Sequence, residues 1–264
     1  MNDIVITILA KDKEYCLDFY LQCILKQTFP KERTHLWIRT NDNNDKTKEI
    51  LDSFVSSYSH LYKSVYYDYS DIDQSLKDFS EHEWNPRRFN ILGKIRDQSI
   101  EYTRKLNADY VVVDCDNFIA PYTVQAMYDD RHLGVVGPML RIGQTRGYAN
   151  FHHKSCPLGY MDIEDQEYWT VLHEKIVGKI KVSTLHCTYL IPHKYLEDSS
   201  YQDGTDDWEY IVFSNNLKRR GIPQYMDNTR FYGLLYLDTA DLGRSYDEWL
   251  EEEWTPEQKE LMQI

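Results

Sequence analysis

Ala108-Asp109-Tyr110-Val111-Val112-Val113-Asp114-Cys115-Asp116-Asn117 carries an apolar run, residues 110–113, straight into two carboxylates two positions apart. A continuous run of β-forming residues is what a strand buried on both faces needs, as in a parallel sheet. At the end of such a strand a slight backbone bend turns both carboxylates toward one hard cation, Mn²⁺ or Mg²⁺. Asp-x-Asp also arises by chance as a solvated turn in acidic chains. The strand that delivers it here makes Asp114 and Asp116 metal-ligand candidates.

Upstream, the sequence alternates strand and helix. Residues 4–9 are a short β-branched run, 12–27 read as a helix with Tyr15, Phe19, Cys23 and Leu25 near one face, and 35–39 are a second strand. The cluster Thr40-Asn41-Asp42-Asn43-Asn44-Asp45 is loop, followed by a helix over 46–58 and a third strand over 65–69. Pro86 opens a long helix reaching about residue 106, with Ile91, Leu92, Ile95, Ser99, Tyr102 and Leu106 inward. This order predicts an α/β fold whose mostly parallel sheet is wound by right-handed crossovers. Ligands in such sheets bind beyond the carboxyl ends of the strands, where Ala10, residues 40–42 and residues 114–116 all fall.

Downstream, 134–139 and 180–191 read as strands, 207–218 as a helix and 227–237 as an aromatic-rich strand or loop. Residues 246–264 form an acidic helical tail with Thr255 as N-cap. One domain over 1–240 is expected, with a nucleotide-sugar half over 1–117, an acceptor half over 118–240, and the tail over 241–264.

With 264 residues, 42% apolar and 14% aromatic, the chain can bury a sizeable core. A net charge of -13 excludes a general affinity for nucleic acid, which needs Lys and Arg to replace counterions. An acidic protein that grips an anionic nucleotide needs local cations, which makes a divalent metal a reasonable expectation. Five cysteines with no CxxC pair indicate neither a disulfide framework nor a zinc site. The N-terminal apolar run is shorter than a signal or membrane segment needs, so a cytoplasmic or other reducing compartment is expected, the host cytoplasm if the source is viral.

The run 108–117 resembles the Asp-x-Asp strand in the amino-terminal glycosyltransferase domain of collagen galactosyltransferases and the related cerebral endothelial cell adhesion molecule. Residues 36–47, Trp84 with Arg88, 135–140, 148–151, 185–190 and 211–213 resemble it in the same order. The likeness spans roughly 4–236, and relatives are also found in giant DNA viruses. It implies a single-domain GT-A fold, Mn²⁺, a donor that is UDP-glucose or UDP-galactose, and hydroxylysine or galactosylhydroxylysine of collagen-like chains as acceptor. Galactose onto hydroxylysine would invert the anomeric centre, and glucose onto galactosylhydroxylysine would retain it. Over these 264 residues neither a second glycosyltransferase domain nor an endoplasmic reticulum signal is expected, whereas those enzymes carry both. A transferase for other surface glycans and a catalytically silent binding or adhesion module remain as alternatives.

The resemblance and the chemistry of the side chains together suggest roles for individual residues. Thr40, Asn41 and Asp42 match the uracil-binding edge, where the competing reading is a turn held by Asx hydrogen bonds. Ala10 and Cys115 fall beside the nucleotide. Arg88, Lys94 and Asp97 on the long helix are candidates for phosphate or sugar hydroxyls, against solvated charges. His186 is a third metal ligand, an acceptor contact or a satisfied core histidine. His152 and His153 are weaker candidates. Asp206, Asp207 and Glu209 precede or open a helix; Asp206 or Asp207 is expected to cap it, and Asp207 or Glu209 is the candidate base facing the acceptor hydroxyl. Arg230 is a diphosphate candidate, and Trp84, Trp208 and Trp249 are sugar-stacking candidates.

Overall fold

The computed structural model describes residues 2–72, 85–143, 147–237 and 245–263. Trp84 lies outside the described residues. Strands β1 (Ile4–Ala10), β2 (Thr34–Thr40), β3 (Ser64–Asp68) and β4 (Asp109–Val113) alternate with helices α1 (Leu17–Leu25), α2 (Thr47–Tyr58) and α3 (Pro86–Lys105). Then come β5 (Asn117–Ile119), α4 (Thr123–Asp130), β6 (Val135–Pro138), β7 (Phe151–His152) and α5 (Gln166–Leu172). The remainder is β8 (Lys179–Val182), β9 (Thr184–Leu185), β10 (Thr188–Ile191), α6 (Glu209–Arg219), β11 (Gln224–Asp227), β12 (Gly233–Leu235), α7 (Tyr246–Glu252) and α8 (Pro256–Met262).

The main sheet has the order β3-β2-β1-β4-β10-β6-β11-β8. The pairs β1–β2, β2–β3, β1–β4 and β6–β11 are parallel, while β10 runs against both β4 and β6, and β8 against β11. Residues alternate between the faces of β4: Val111 and Val113 join the core beneath α1, whereas Tyr110 and Val112 join a second core with Tyr189, Phe213 and Leu217. Cores on both faces explain why this strand reads as an unbroken apolar run. The tail is part of the fold, since Trp249, Trp254 and Met262 are buried in the first core and the Trp249 indole donates to the Ile142 carbonyl. Trp249 is therefore a packing residue. Thr255 caps α8 in a capping box, as its sequence suggests.

Several elements differ from the sequence reading for physical reasons. Helix α1 starts at Leu17 because residues 12–14 are tied to the 43–47 loop. Asp12 adopts φ 51°, its amide donates to Asn43, and its carboxylate accepts the Asn44 amide. The Lys13 amide donates to Thr47 Oγ1 and that of Glu14 to Asp45. The buried face of α1 is Leu17, Tyr20, Leu21, Cys23 and Ile24. The apparent strand 180–191 is three pieces, broken at Ser183, whose amide donates to the His152 and His153 carbonyls, and again where Cys187 takes φ 65° and the Thr188 amide donates to the His186 carbonyl at 2.7 Å. Helix α6 starts after Trp208 with no side-chain cap, so neither Asp206 nor Asp207 caps it. On α3 the buried residues are Phe89, Gly93, Ile95, Arg96, Ser99, Ile100 and Thr103, a stripe that admits an arginine.

Candidate active site

The carboxyl ends of β1, β2 and β4 meet the first turns of α3 around a cavity of about 240 Å³. Of the residues singled out in the sequence, Ala10, Asn41, Arg88, Asp114, Cys115 and Asp116 line it. Lys13, Tyr15, Arg39 and Arg96, none of them a site candidate from the sequence, line it too.

The Asp-x-Asp turn is built from backbone hydrogen bonds. The Asp114 amide donates to the Cys187 carbonyl at 2.9 Å, the Asn117 amide to the Asp114 carbonyl at 2.9 Å, and the Tyr236 amide to the Asp116 carbonyl at 2.8 Å. The Cys115 thiol between the two acids is buried and donates to the Leu9 carbonyl. Burial holds its pKa well above the usual thiol value, so it acts as an inert spacer.

Each aspartate meets a cation. Arg96 Nη2 donates to Asp114 Oδ1 at 2.8 Å, and Lys13 Nζ lies 3.0 Å from Asp116 Oδ2 while also donating to the Tyr15 hydroxyl at 3.1 Å. Arg96 is only 4% exposed, places Nε 3.7 Å from Glu209 Oε1, and lies 5.6 Å from the Tyr201 ring. Its Nε and Nη1 are buried without a hydrogen bond. Burial raises the Asp114 pKa, which Arg96 only partly offsets, and Glu209 is shifted upward for the same two reasons. For Lys13, burial alone would lower the pKa, but Asp116, Tyr15 and Cys16 together outweigh it and hold the pKa well above the usual lysine value.

The three acids singled out near α6 part company. Asp206 is exposed and accepts from Asn90 Nδ2 at 3.1 Å, and Asp207 accepts from the Tyr160 hydroxyl at 2.7 Å. Glu209 is buried and tied through Arg96 to Asp114, which makes it the acid electrostatically joined to the cavity. Trp208 packs against Phe89 with ring centroids 4.3 Å apart and planes tilted by 33°.

In the loop after β2, Asn41 donates to Asp42 Oδ2 and Asn43 to Thr40 Oγ1. Asp42 has φ 51°, its amide donates to Asp71, and its Oδ1 is buried without a partner. The turn reading thus holds for the pattern of bonds, while Asn41 reaches the cavity and Thr40 and Asp42 lie outside its lining. Arg39 braces this edge through Asp68 and the Ser70 carbonyl. Three other candidates stand away from the cavity lining. Lys94 is exposed. Asp97 accepts the Tyr201 amide at 2.7 Å and the Ser200 hydroxyl at 2.8 Å, fastening that segment to α3. Arg230 is exposed and rests over the Tyr122 and Tyr232 rings.

His186 is buried between Tyr148 and Tyr210, its Nδ1 2.9 Å from Cys187 Sγ and its Nε2 without a partner. It does not cluster with Asp114 and Asp116. Among the described residues, the group of metal-capable side chains whose ligand atoms lie within 4.8 Å of one another is His153, Asp165 and Glu167. There Lys154 Nζ already sits on Glu167 at 2.5 Å, and Asp165 caps α5. Asp114 and Asp116 present an oxygen-only donor set at the cavity, the chemistry that Mn²⁺ or Mg²⁺ takes, with Arg96 and Lys13 paired to it.

His152 is also buried, 5.5 Å from His186 between ring centroids, and burial lowers its pKa to about 4. A native pKa below the unfolded value near 6.5 gives stability that is complete above that value and lost as pH falls toward 4. The slope is about 1.4 kcal/mol per pH unit for each such histidine. Urea midpoints measured from pH 6.5 to 4.5 should fall less steeply in His152→Gln than in the wild type; an identical slope would show that His152 is already charged in the native protein.

The fold is shared with solved glycosyltransferases of the GT-A class. S. aureus TarS 1-349 in complex with UDP-GlcNAc superposes with a TM-score of 0.57 at 14% identity, over 98% of this chain and 64% of that one. GalNAc-T7 with UDP, GalNAc and Mn²⁺ superposes with a TM-score of 0.55 at 14% identity, over 89% and 44%. The chain belongs to the glycosyltransferase family 25, N-terminal domain, whose family model matches residues 1–248. Mus musculus procollagen galactosyltransferase 2 is 29% identical over 245 residues, covering 88% of this chain and 38% of that protein. The inactive glycosyltransferase 25 family member 3 of Mus musculus is 27% identical, covering 88% and 40%. The chain thus spans about two-fifths of the length of these curated relatives.

Proposed function

We propose that this chain transfers glucose or galactose from a UDP-sugar to hydroxylysine or galactosylhydroxylysine of collagen-like chains, with Asp114 and Asp116 holding Mn²⁺. The observation that carries the reading is the pair of carboxylates opening onto a 240 Å³ cavity at the carboxyl ends of β1, β2 and β4, where nucleotides bind in wound α/β sheets. The names of the procollagen galactosyltransferase relatives and the UDP-bound structural neighbours support the donor and acceptor classes.

When bound, the metal supplies charge neutralisation for the departing diphosphate. The rest falls to the chain. Asn41 at the cavity edge offers an amide to the base, Arg88 and Lys13 face the space a diphosphate would fill, and Arg96 fixes Asp114. Glu209, raised in pKa by burial, suits a proton acceptor for the hydroxyl in an inverting reaction or an orienting group in a retaining one.

The test is UDP release with Mn²⁺ from UDP-glucose and UDP-galactose, each with free hydroxylysine and with galactosylhydroxylysine. Acceptor-stimulated release is expected from one pairing, which fixes donor and stereochemistry together. Folded protein that binds UDP but shows no stimulation in any pairing would overturn the acceptor, and failure to bind UDP would overturn the donor as well.

A further inference from the structure

Asp114 is paired with Arg96 and Asp116 with Lys13, so a divalent ion approaching the two aspartates meets carboxylates that each already hold a cation. The ion gains its full attraction only if one of the two resident cations leaves its carboxylate.

The two cations are unequal in freedom. Arg96 is held on the inner face of α3, 4% exposed, between Asp114, Glu209 and the Tyr201 ring, and moving it would strand the buried Glu209 carboxylate as well as Asp114. Lys13 sits on the loop after β1 with a side chain 24% exposed, and its ammonium is held by one carboxylate oxygen and the Tyr15 hydroxyl. Its flexible stem lies along the cavity, so the ammonium can leave Asp116 without leaving the site. The anion that next enters that cavity, on the UDP-sugar reading above, is the donor diphosphate.

We infer that Lys13 is an exchangeable cation, paired with Asp116 before the metal binds and transferred to the donor's diphosphate when the metal takes Asp116. Metal and nucleotide then bind with positive coupling: each supplies what the other's arrival unpairs. The metal alone must break the Lys13–Asp116 pair without compensation. Metal with diphosphate replaces that pair by two new ones.

Titration calorimetry of the whole chain tests this. Mn²⁺ is titrated into wild type, Lys13→Met and Lys13→Gln, with and without UDP, and UDP into each with Mn²⁺ or EDTA. Without nucleotide, both variants should bind Mn²⁺ about twofold to fivefold more tightly than wild type, the size expected for removing one partly exposed ion pair. The gain in Mn²⁺ affinity on adding UDP should shrink by a similar factor. Equal or weaker Mn²⁺ binding by the folded variants would overturn the exchange. So would wild type that binds UDP equally well in EDTA and loses that binding in Lys13→Met, because Lys13 would then stand in the metal's place permanently. Wild type that binds UDP under neither condition would instead refute the nucleotide-sugar reading, and the exchange with it.

Discussion

Asp116→Asn is expected to lower acceptor-dependent UDP release by roughly a hundredfold or more while leaving the melting temperature nearly unchanged. Asparagine keeps the shape of the turn, because its backbone bond to Tyr236 does not involve the side chain. It loses the charge that a hard cation requires, and charge stabilisation worth several kcal/mol in a site of this type corresponds to at least two decades in rate. The fold loses only one ion pair, with side chains 26% and 24% exposed, whose worth is about 1 kcal/mol or less. Asp207→Asn is the contrast. Asp207 sits on Tyr160 and shares no pair with Arg96 or Lys13, so its loss should cost less than about tenfold on the scale where one decade is near 1.4 kcal/mol. Near-normal turnover by Asp116→Asn in Mn²⁺ would sink the metal assignment.

The first four strands and the Asp-x-Asp turn are legible in the sequence because local pattern and tertiary role coincide there. Residues 110–113 are apolar on both faces since the sheet is covered on both faces, and no other part of the fold needs to be known to see it. The break in 180–191 is of another kind. Thr184, Leu185, Thr188, Tyr189, Leu190 and Ile191 all favour a strand, yet Cys187 is held at positive φ. Its carbonyl receives the Asp114 amide from a strand more than seventy residues away. Strain of that kind is imposed by tertiary structure and leaves no local mark. His186 is delivered by the same turn, which is why its neighbours in the fold are Tyr148 and Tyr210 rather than the residues of an ordinary strand.

Arg96 did leave a mark. Leu92, Ile95, Arg96, Ser99 and Thr103 follow helical spacing, so Arg96 belongs to the inward stripe of α3, and an arginine there must have a buried anion to meet. Lys94 and Asp97 lie on the more polar side of that helix. Of these, Lys94 faces solvent and Asp97 fastens the chain at Ser200 and Tyr201. Near α6 the acids Asp206, Asp207 and Glu209 differ little as a sequence, and only the position of the Arg96 guanidinium separates Glu209 from the other two.

Arg96→Met should therefore carry the largest stability cost of any single change at the site, about 3–5 kcal/mol, the range seen when one partner of a buried charge pair is removed. Methionine replaces the aliphatic stem well enough, so the loss reflects Asp114 and Glu209 rather than a cavity. Both carboxyls already have native pKa values raised by burial and held down by Arg96. Without the guanidinium they rise further, and the native chain retains protons that the unfolded chain has given up. Such a group contributes stability below its unfolded pKa and loses it as pH rises through the native value, so the deficit of Arg96→Met should be smaller at pH 5 than at pH 8. Adding Glu209→Gln to Arg96→Met removes one of the stranded charges and should recover part of the loss at pH 8, whereas Glu209→Gln alone should not stabilise the protein. Urea unfolding of the three variants at both pH values checks each sign. A deficit independent of pH and untouched by Glu209→Gln would mean that Arg96 supports the fold through packing against Tyr201 instead of through the two acids.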